Sequence, residues 1–98
     1  MTVQMVIELR EKGGAQPVIQ AIEAYKARLR AGIDRSKRQL AQFEQRYEVD
    51  TTHFLREMAA EDLAGGDLEY VEWAGEAKLL AGLEGELIEL EHACYQVP

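Results

Sequence analysis

Glu89 and His92 are the residues whose spacing comes nearest to a known chemistry, because they lie three apart in a segment with helical periodicity. A Glu-x-x-His pair on one helix supplies part of the ligand set of a di-iron carboxylate site. Such a site needs a second copy of that pair and two further inward glutamates, and the sequence contains no second copy. We therefore interpret both as solvated helix-surface residues and predict no metal site and no cofactor.

The remaining candidates for chemistry are His53, His92 and the single cysteine, Cys94. Residues two apart on a helix diverge, so His92 and Cys94 make a poor ligand pair. A general base at His53 would need a nucleophile or a substrate pocket nearby, and the sequence indicates neither. We predict that Cys94 is a small buried apolar residue. The sequence thus predicts no catalytic residue and no enzyme.

Charge divides the chain into two unequal halves. Residues 1–49 carry a balance of +3, residues 50–98 a balance of −10, and the whole chain has a net charge of −7. The overall sign argues against nucleic-acid binding. The acidic cluster from Glu84 to Glu91 favours a solvated face over a mimic of nucleic acid.

One cysteine permits no internal disulfide, which is typical of a reducing compartment. We predict a soluble, cytoplasmic protein without a membrane span.

Two periodicities predict the first elements. Val3, Met5, Ile7 and Leu9 alternate with other residues, which predicts a short strand or arm within residues 1–12. Pro17 then starts a segment that runs to Tyr47, with apolar positions repeating close to every 3.6 residues, and this predicts one long helix over 17–47. The stripe consists of Val18, Ile22, Tyr25, Leu29, Ile33, Ser36, Leu40, Phe43 and Tyr47.

Two more helices are predicted in the second half of the chain. Asp50 or Thr51 can cap a short helix over 51–60. After Gly65-Gly66, with Asp67 as a further N-cap candidate, a last helix is predicted over 67–94. Its seven-residue seam resembles a coiled coil and consists of Trp73, Leu80, Leu87 and Cys94, with Leu83 and Leu90 between them.

These elements predict a mostly α single domain over residues 1–98. The two long helices form an antiparallel hairpin, with the short middle helix near its turn and a short N-terminal β-strand. A two-helix hairpin leaves apolar residues such as Ile19, Val71 and Ile88 off the packed seam. A lone strand also leaves its edges unpaired. We therefore expect a homodimer or a bundle completed by a partner protein.

The middle of the chain resembles a family of small acidic helical proteins. The similarity lies in Phe43-Glu44-Gln45-Arg46-Tyr47, Asp50 to Leu55, and Gly66 to Trp73, which follow the order of an FExxYG…EEF…GDDxDFxEW-like pattern. It covers about residues 40–92. This chain departs from the pattern at Glu48, where the family has Gly, and at His53, where it has Glu. The resemblance implies the antitoxin side of a toxin–antitoxin-like gene pair.

The leading hypothesis is an antitoxin-like protein that neutralises a cognate toxin through its helical surface. Trp73, Leu80, Leu87 and Ile88 are the expected partner-binding residues. The alternative is a self-associating helical scaffold with no catalytic role. A DNA-binding autoregulator, including a ribbon-helix-helix repressor, is a weaker hypothesis, because the first helix is too long and the strand face offers Gln4, Val6 and Glu8.

Overall fold

The computed structural model describes residues 1–95 and consists largely of three α-helices and two short 3₁₀ turns. The helices are α1 (Ala15–Tyr47), α2 (Thr51–Glu57) and α3 (Gly66–His92), and the turns are Lys12–Gly14 and Ala60–Asp62. The predicted mostly helical fold with one long first helix is confirmed. Within residues 1–95, no helix is both long and apolar enough to cross a membrane.

Helices α1 and α3 lie side by side and run in opposite directions. Arg46 near the end of α1 pairs with Glu69 near the start of α3, whereas Tyr25 in the first half of α1 bonds Glu86 in the second half of α3. The molecule is accordingly elongated, with extents of 60 × 27 × 18 Å. We call the end that carries α2 the closed end, and the end where α1 begins and α3 finishes the open end.

Backbone chemistry explains where α1 begins and ends. Pro17 lies in its first turn, where a missing N–H costs no intrahelical hydrogen bond. Glu48, directly after the helix, has a left-handed φ of 55°. That conformation is typical of the residue that terminates a helix. The long helix therefore stops at Tyr47 and turns the chain towards α2.

The cap of α2 confirms one of the two predicted alternatives. The Asp50 carboxylate accepts a hydrogen bond of 2.7 Å from the backbone N–H of His53. This bond satisfies one of the amide groups that lack an intrahelical partner at a helix start. Thr51 is instead the first residue of α2, and its side chain serves another role at the closed end.

The start of α3 differs from the prediction. Gly65 occupies the N-cap position, and Gly66 has a φ of +63°, a conformation that favours glycine. Asp67 is thus inside the helix and does not cap it. The orphan Gly65 amide instead donates to the Glu69 carboxylate at 3.1 Å. Glu69, four residues after Gly65, therefore binds an amide at the start of α3, the role predicted for Asp67.

The predicted N-terminal strand is wrong. Residues 1–9 have no regular secondary structure, and every one of them is exposed. A strand needs backbone hydrogen bonds from a neighbouring strand, and the part of the chain that the structure describes contains none. The alternating apolar pattern therefore lies on a segment that has no strand to pair with among residues 1–95.

The core is small and divided along the hairpin. The buried apolar residues are Leu29, Ile33, Leu40, Phe54, Leu63 and Trp73. Four of them (Leu40, Phe54, Leu63 and Trp73) form one cluster at the closed end. The seam prediction fails at Cys94, which is exposed because α3 ends at His92, before the seam reaches it. The open end is therefore held by fewer buried side chains than the closed end.

Candidate protein-binding surface

Trp73 is the centre of the closed-end core. It is fully buried, and its ring lies nearly parallel to Phe54 at 3.9 Å and to Phe43 at 5.2 Å between ring centroids. Tyr47 stacks on it at 5.7 Å, and Tyr70 contacts Phe54. Trp73 was predicted as a partner-binding residue, but a fully buried ring offers no surface to a partner. It fixes α2 against the two long helices.

A hydrogen-bonded chain of side chains satisfies the polar atoms of this core. The Trp73 indole N–H donates to the Thr51 hydroxyl at 3.1 Å. The Thr51 hydroxyl in turn donates to the Glu44 carboxylate at 2.9 Å, and the Thr51 backbone N–H donates to the same oxygen at 2.7 Å. A buried indole is stabilised only when its N–H has a partner. Glu44 therefore anchors the start of α2 to α1.

Glu69 is the second anchor of the closed end. Its buried carboxylate accepts hydrogen bonds from the Tyr47 hydroxyl, from Arg46 and from the Gly65 backbone N–H. The Tyr47 hydroxyl also accepts a bond of 2.9 Å from the Ala64 amide. The Tyr47 hydrogen bond lowers the pKa of Glu69, and although burial opposes this change, Gly65 and Arg46 add to it. The loop before α3 is thus tied to the end of α1.

Three sequence segments, 43–47, 50–55 and 66–73, meet at this closed end. Phe43, Glu44 and Tyr47 come from the first segment, Thr51 and Phe54 from the second, and Glu69 and Trp73 from the third. Each of them packs in the aromatic cluster or belongs to the two hydrogen-bonded networks. The packing of a helical corner therefore brings these three segments together. Sequence reasoning missed Glu44 and Glu69, since a glutamate in a helix usually lies on the surface.

A cleft of about 390 Å³ lies between α1 and α3 beside this corner. Its lining combines small and apolar side chains with three charged ones. The lining residues are Lys37, Leu40, Glu44, Thr51, Ala77, Leu80, Ala81 and Glu84. The cleft is shallow and largely open to solvent, so it offers a groove between two helices and no enclosed cavity. We call this lining, together with Ile88, the cleft surface.

Ile88 belongs to the cleft surface because of its helical position. Ala77, Ala81, Glu84 and Ile88 are spaced by four, three and four residues, so they share one face of α3. The Ile88 side chain is 50% exposed. Of the four predicted partner-binding residues, Leu80 lines the cleft and is half-buried, Leu87 is half-buried on the seam, and Ile88 alone is exposed.

Opposite charges pair between the two long helices. Arg46 meets Glu69, and Arg30 approaches Glu91 with an N–O distance of 3.7 Å. An exposed pair such as Arg30–Glu91 contributes only about 0–1 kcal/mol. The Arg30–Glu91 pair therefore favours the orientation of the hairpin more than its stability.

The residues considered for chemistry are not brought together. Within residues 1–95, no three His, Cys, Asp or Glu side chains lie close enough to hold a metal ion. His53 is exposed, and its Nδ1 lies 3.5 Å from Glu57 on the same short helix. His92 and Cys94 both lie on the surface at the open end. The cleft is therefore the feature most suited to recognition.

Comparisons with known proteins add no relative. A scan against models of known protein families finds no match, and searches of curated proteins and of solved structures find none either.

Proposed function

We propose that this chain is an antitoxin-like protein that neutralises a cognate toxin by covering its active surface. The observation that carries the proposal is the cleft surface, an apolar floor with charged rims on a preformed helical corner. A rigid site avoids the cost of ordering the binding residues when the partner arrives. The antitoxin assignment itself comes from the resemblance of residues 40–92 and adds the class of partner to the binding role.

The chemistry of the cleft surface indicates which part of a toxin it would receive. The floor formed by Leu40, Ala77 and Leu80 suits an apolar side chain projecting from the toxin. Glu84 at the rim, within a half-chain of charge −10, suits a basic residue beside that side chain. Complementary charge mainly raises the association rate, and this effect weakens as salt increases. The expected ligand is therefore a basic surface with one protruding apolar residue.

The four predicted partner-binding residues differ in burial, so we assign them different roles. Ile88 and Leu80 remain direct-contact residues in this proposal, since Leu80 lines the cleft and Ile88 is exposed beside it. Leu87 packs on the seam and would contribute only the edge of its side chain. Trp73 is fully buried, so its part is to hold the helix that carries Leu80. Substitutions at Trp73 would thus act on folding before they act on binding.

Co-expression with the product of the adjacent reading frame tests the proposal. We expect that protein to arrest growth alone, to copurify with this chain, and to lose its toxicity when both are present. Ala81→Trp, which fills the cleft, and Ile88→Asp should abolish copurification and rescue. Leu79→Asp is the matched control, because Leu79 is equally exposed (49%) but lies off the cleft surface. A harmless neighbour that does not copurify would refute the antitoxin role.

A self-associating helical scaffold is the second candidate, and the large exposed surface of the chain favours it. The chain exposes 7809 Å², whereas a folded monomer of its mass is expected to expose about 5,700 Å². A scaffold would need no toxic neighbour, and Ala81→Trp would have no effect on growth. The growth assay therefore separates the two functions, because self-association is compatible with both.

A further inference from the structure

The outer face of α3 carries an apolar stripe that the hairpin leaves uncovered. Leu68, Val71 and Leu79 are 70%, 65% and 49% exposed. Gly75 and Gly82 lie between and beyond them on the same face, and a Cβ atom at either glycine would meet no other atom within 4 Å. Their spacing of three, four, four and three residues keeps all five within a narrow arc of the helix. We call these five residues the outer stripe.

The N-terminal arm, residues 1–9, is the second uncovered apolar segment. Six of its nine residues are apolar and exposed, namely Met1, Val3, Met5, Val6, Ile7 and Leu9. Leu9 lies beside Gly14 at the start of the helical region. An apolar segment gains stability only when its surface is removed from water. The arm therefore has a driving force for docking.

The surface area of the chain is large enough for a stable dimer. The excess over a folded monomer of equal mass is about 2,100 Å² per chain. A standard interface takes about 800 Å² from each partner. The radius of gyration of 19.2 Å is likewise large, since about 13 Å is expected for a globular chain of this length. The arm and the outer stripe carry much of the exposed apolar surface.

The arm cannot reach the closed-end part of the outer stripe of its own chain. Leu68 precedes Glu69, which bonds Tyr47, so Leu68 lies level with the end of α1. Along α1, that level is about 48 Å from Ala15 at 1.5 Å per residue. Even when fully extended, the arm spans at most about 47 Å from Gly14 to Met1. The far part of the stripe is therefore out of reach within one chain.

We propose that two copies of this chain pair in opposite directions, so that the arm of each covers the outer stripe of the other. A two-fold axis perpendicular to the long axis places the open end of one copy beside the closed end of its partner. Each arm then starts close to the stripe that it covers, and both contacts are identical, as closed two-fold symmetry requires. This inference is independent of the toxin, because it uses the face opposite the cleft surface.

Sedimentation equilibrium of the full chain tests the pairing. We expect a dimer whose dissociation constant rises at least tenfold with Leu79→Asp and with Val71→Asp. Ile88→Asp is the matched control. Ile88 lies on the same helix as Leu79 and is equally exposed, but it is nine residues away and so about half a turn round α3. Circular dichroism checks that each variant stays folded. A monomeric full chain, or a dimer unaffected by both stripe variants, overturns the proposal.

Disulfide trapping identifies the occupant of the stripe. One chain carries Met5→Cys and the other Val71→Cys, both in a Cys94→Ser background so that no other thiol is present. When the two are mixed and oxidised, we expect a covalent heterodimer in much higher yield than either covalent homodimer. Homodimers of the Val71→Cys chain as the main product would show that two stripes meet directly, and would refute coverage by the arm.

Discussion

Tyr47→Phe removes one hydroxyl from the closed end while the aromatic ring stays in place. That hydroxyl donates to the buried carboxylate of Glu69 and accepts from the Ala64 amide. The ring contacts to Trp73 do not depend on the hydroxyl. The substitution therefore isolates the contribution of a hydrogen-bonded network that joins α1, the loop before α3 and the first turn of α3.

The expected loss of stability depends on which partners of Glu69 remain in the variant. A hydrogen bond to a charged group contributes about 1.5–3 kcal/mol, and an unsatisfied buried group adds its own desolvation cost. Arg46 and the Gly65 amide still neutralise and bond Glu69, which limits the damage. We expect the free energy of unfolding to fall by about 2 kcal/mol, which corresponds to a Tm lower by about 8–16 °C for a domain of this size.

Tyr25→Phe is the matched control for this prediction. The Tyr25 hydroxyl also donates to a carboxylate across the hairpin, Glu86, but this bond lies in solvent. Because water replaces such a bond, the loss should stay below about 1 kcal/mol. Urea unfolding followed by circular dichroism at 222 nm measures both variants. Equal losses at Tyr25 and Tyr47 would show that burial of the Glu69 network does not stabilise the fold.

Three further predictions concern the same fold. Because the pKa of Glu69 is lowered from its ordinary value of 4.5, its network stabilises the fold fully above that value. This stability is lost as the pH falls through the lowered pKa. Acid unfolding of Glu69→Gln should therefore depend less on pH than acid unfolding of the unmodified protein. Asp50→Ala should cost about 1 kcal/mol of stability in urea unfolding, since it removes the cap of α2. Gly66→Ala should destabilise the fold by about 1–2 kcal/mol because Gly66 has a positive φ. Gly85 lies in open space within the same helix, so Gly85→Ala should stabilise the fold by up to about 1 kcal/mol. Equal changes in Tm for the two variants would contradict this.

The sequence predicts the helices well where one face of a long segment is apolar. The stripe from Val18 to Tyr47 repeats at helical spacing for almost its whole length, and α1 spans Ala15–Tyr47. The Asp50 cap is likewise a local signal, since its carboxylate bonds an amide only three residues away. Both features depend on neighbours in the chain, which sequence periodicity reports directly.

The errors arise where the outcome depends on distant residues. The alternation in the N-terminal arm has the period of a strand, but a strand also needs a second strand, which periodicity does not report. Trp73 was expected at an interface, yet Phe43 and Phe54 enclose it from two other helices. Glu69 is buried because Tyr47 and Arg46 reach it from another helix. Leu80 and Ile88 thus remain predicted partner-binding residues, whereas the cleft beside them could be found only from the structure.

The two proposed contacts use opposite faces of α3, which decides whether they compete. The cleft surface includes Ala81 and Ile88 on one side of α3. The outer stripe includes Val71 and Leu79, about half a turn round the helix. A toxin on the first face therefore leaves the second free for another copy of this chain, and each toxin meets its own cleft. The expected complex holds two chains and two toxins, and Leu79→Asp should reduce it to one of each without loss of binding. If Leu79→Asp instead abolished toxin binding, the two faces would form a single interface.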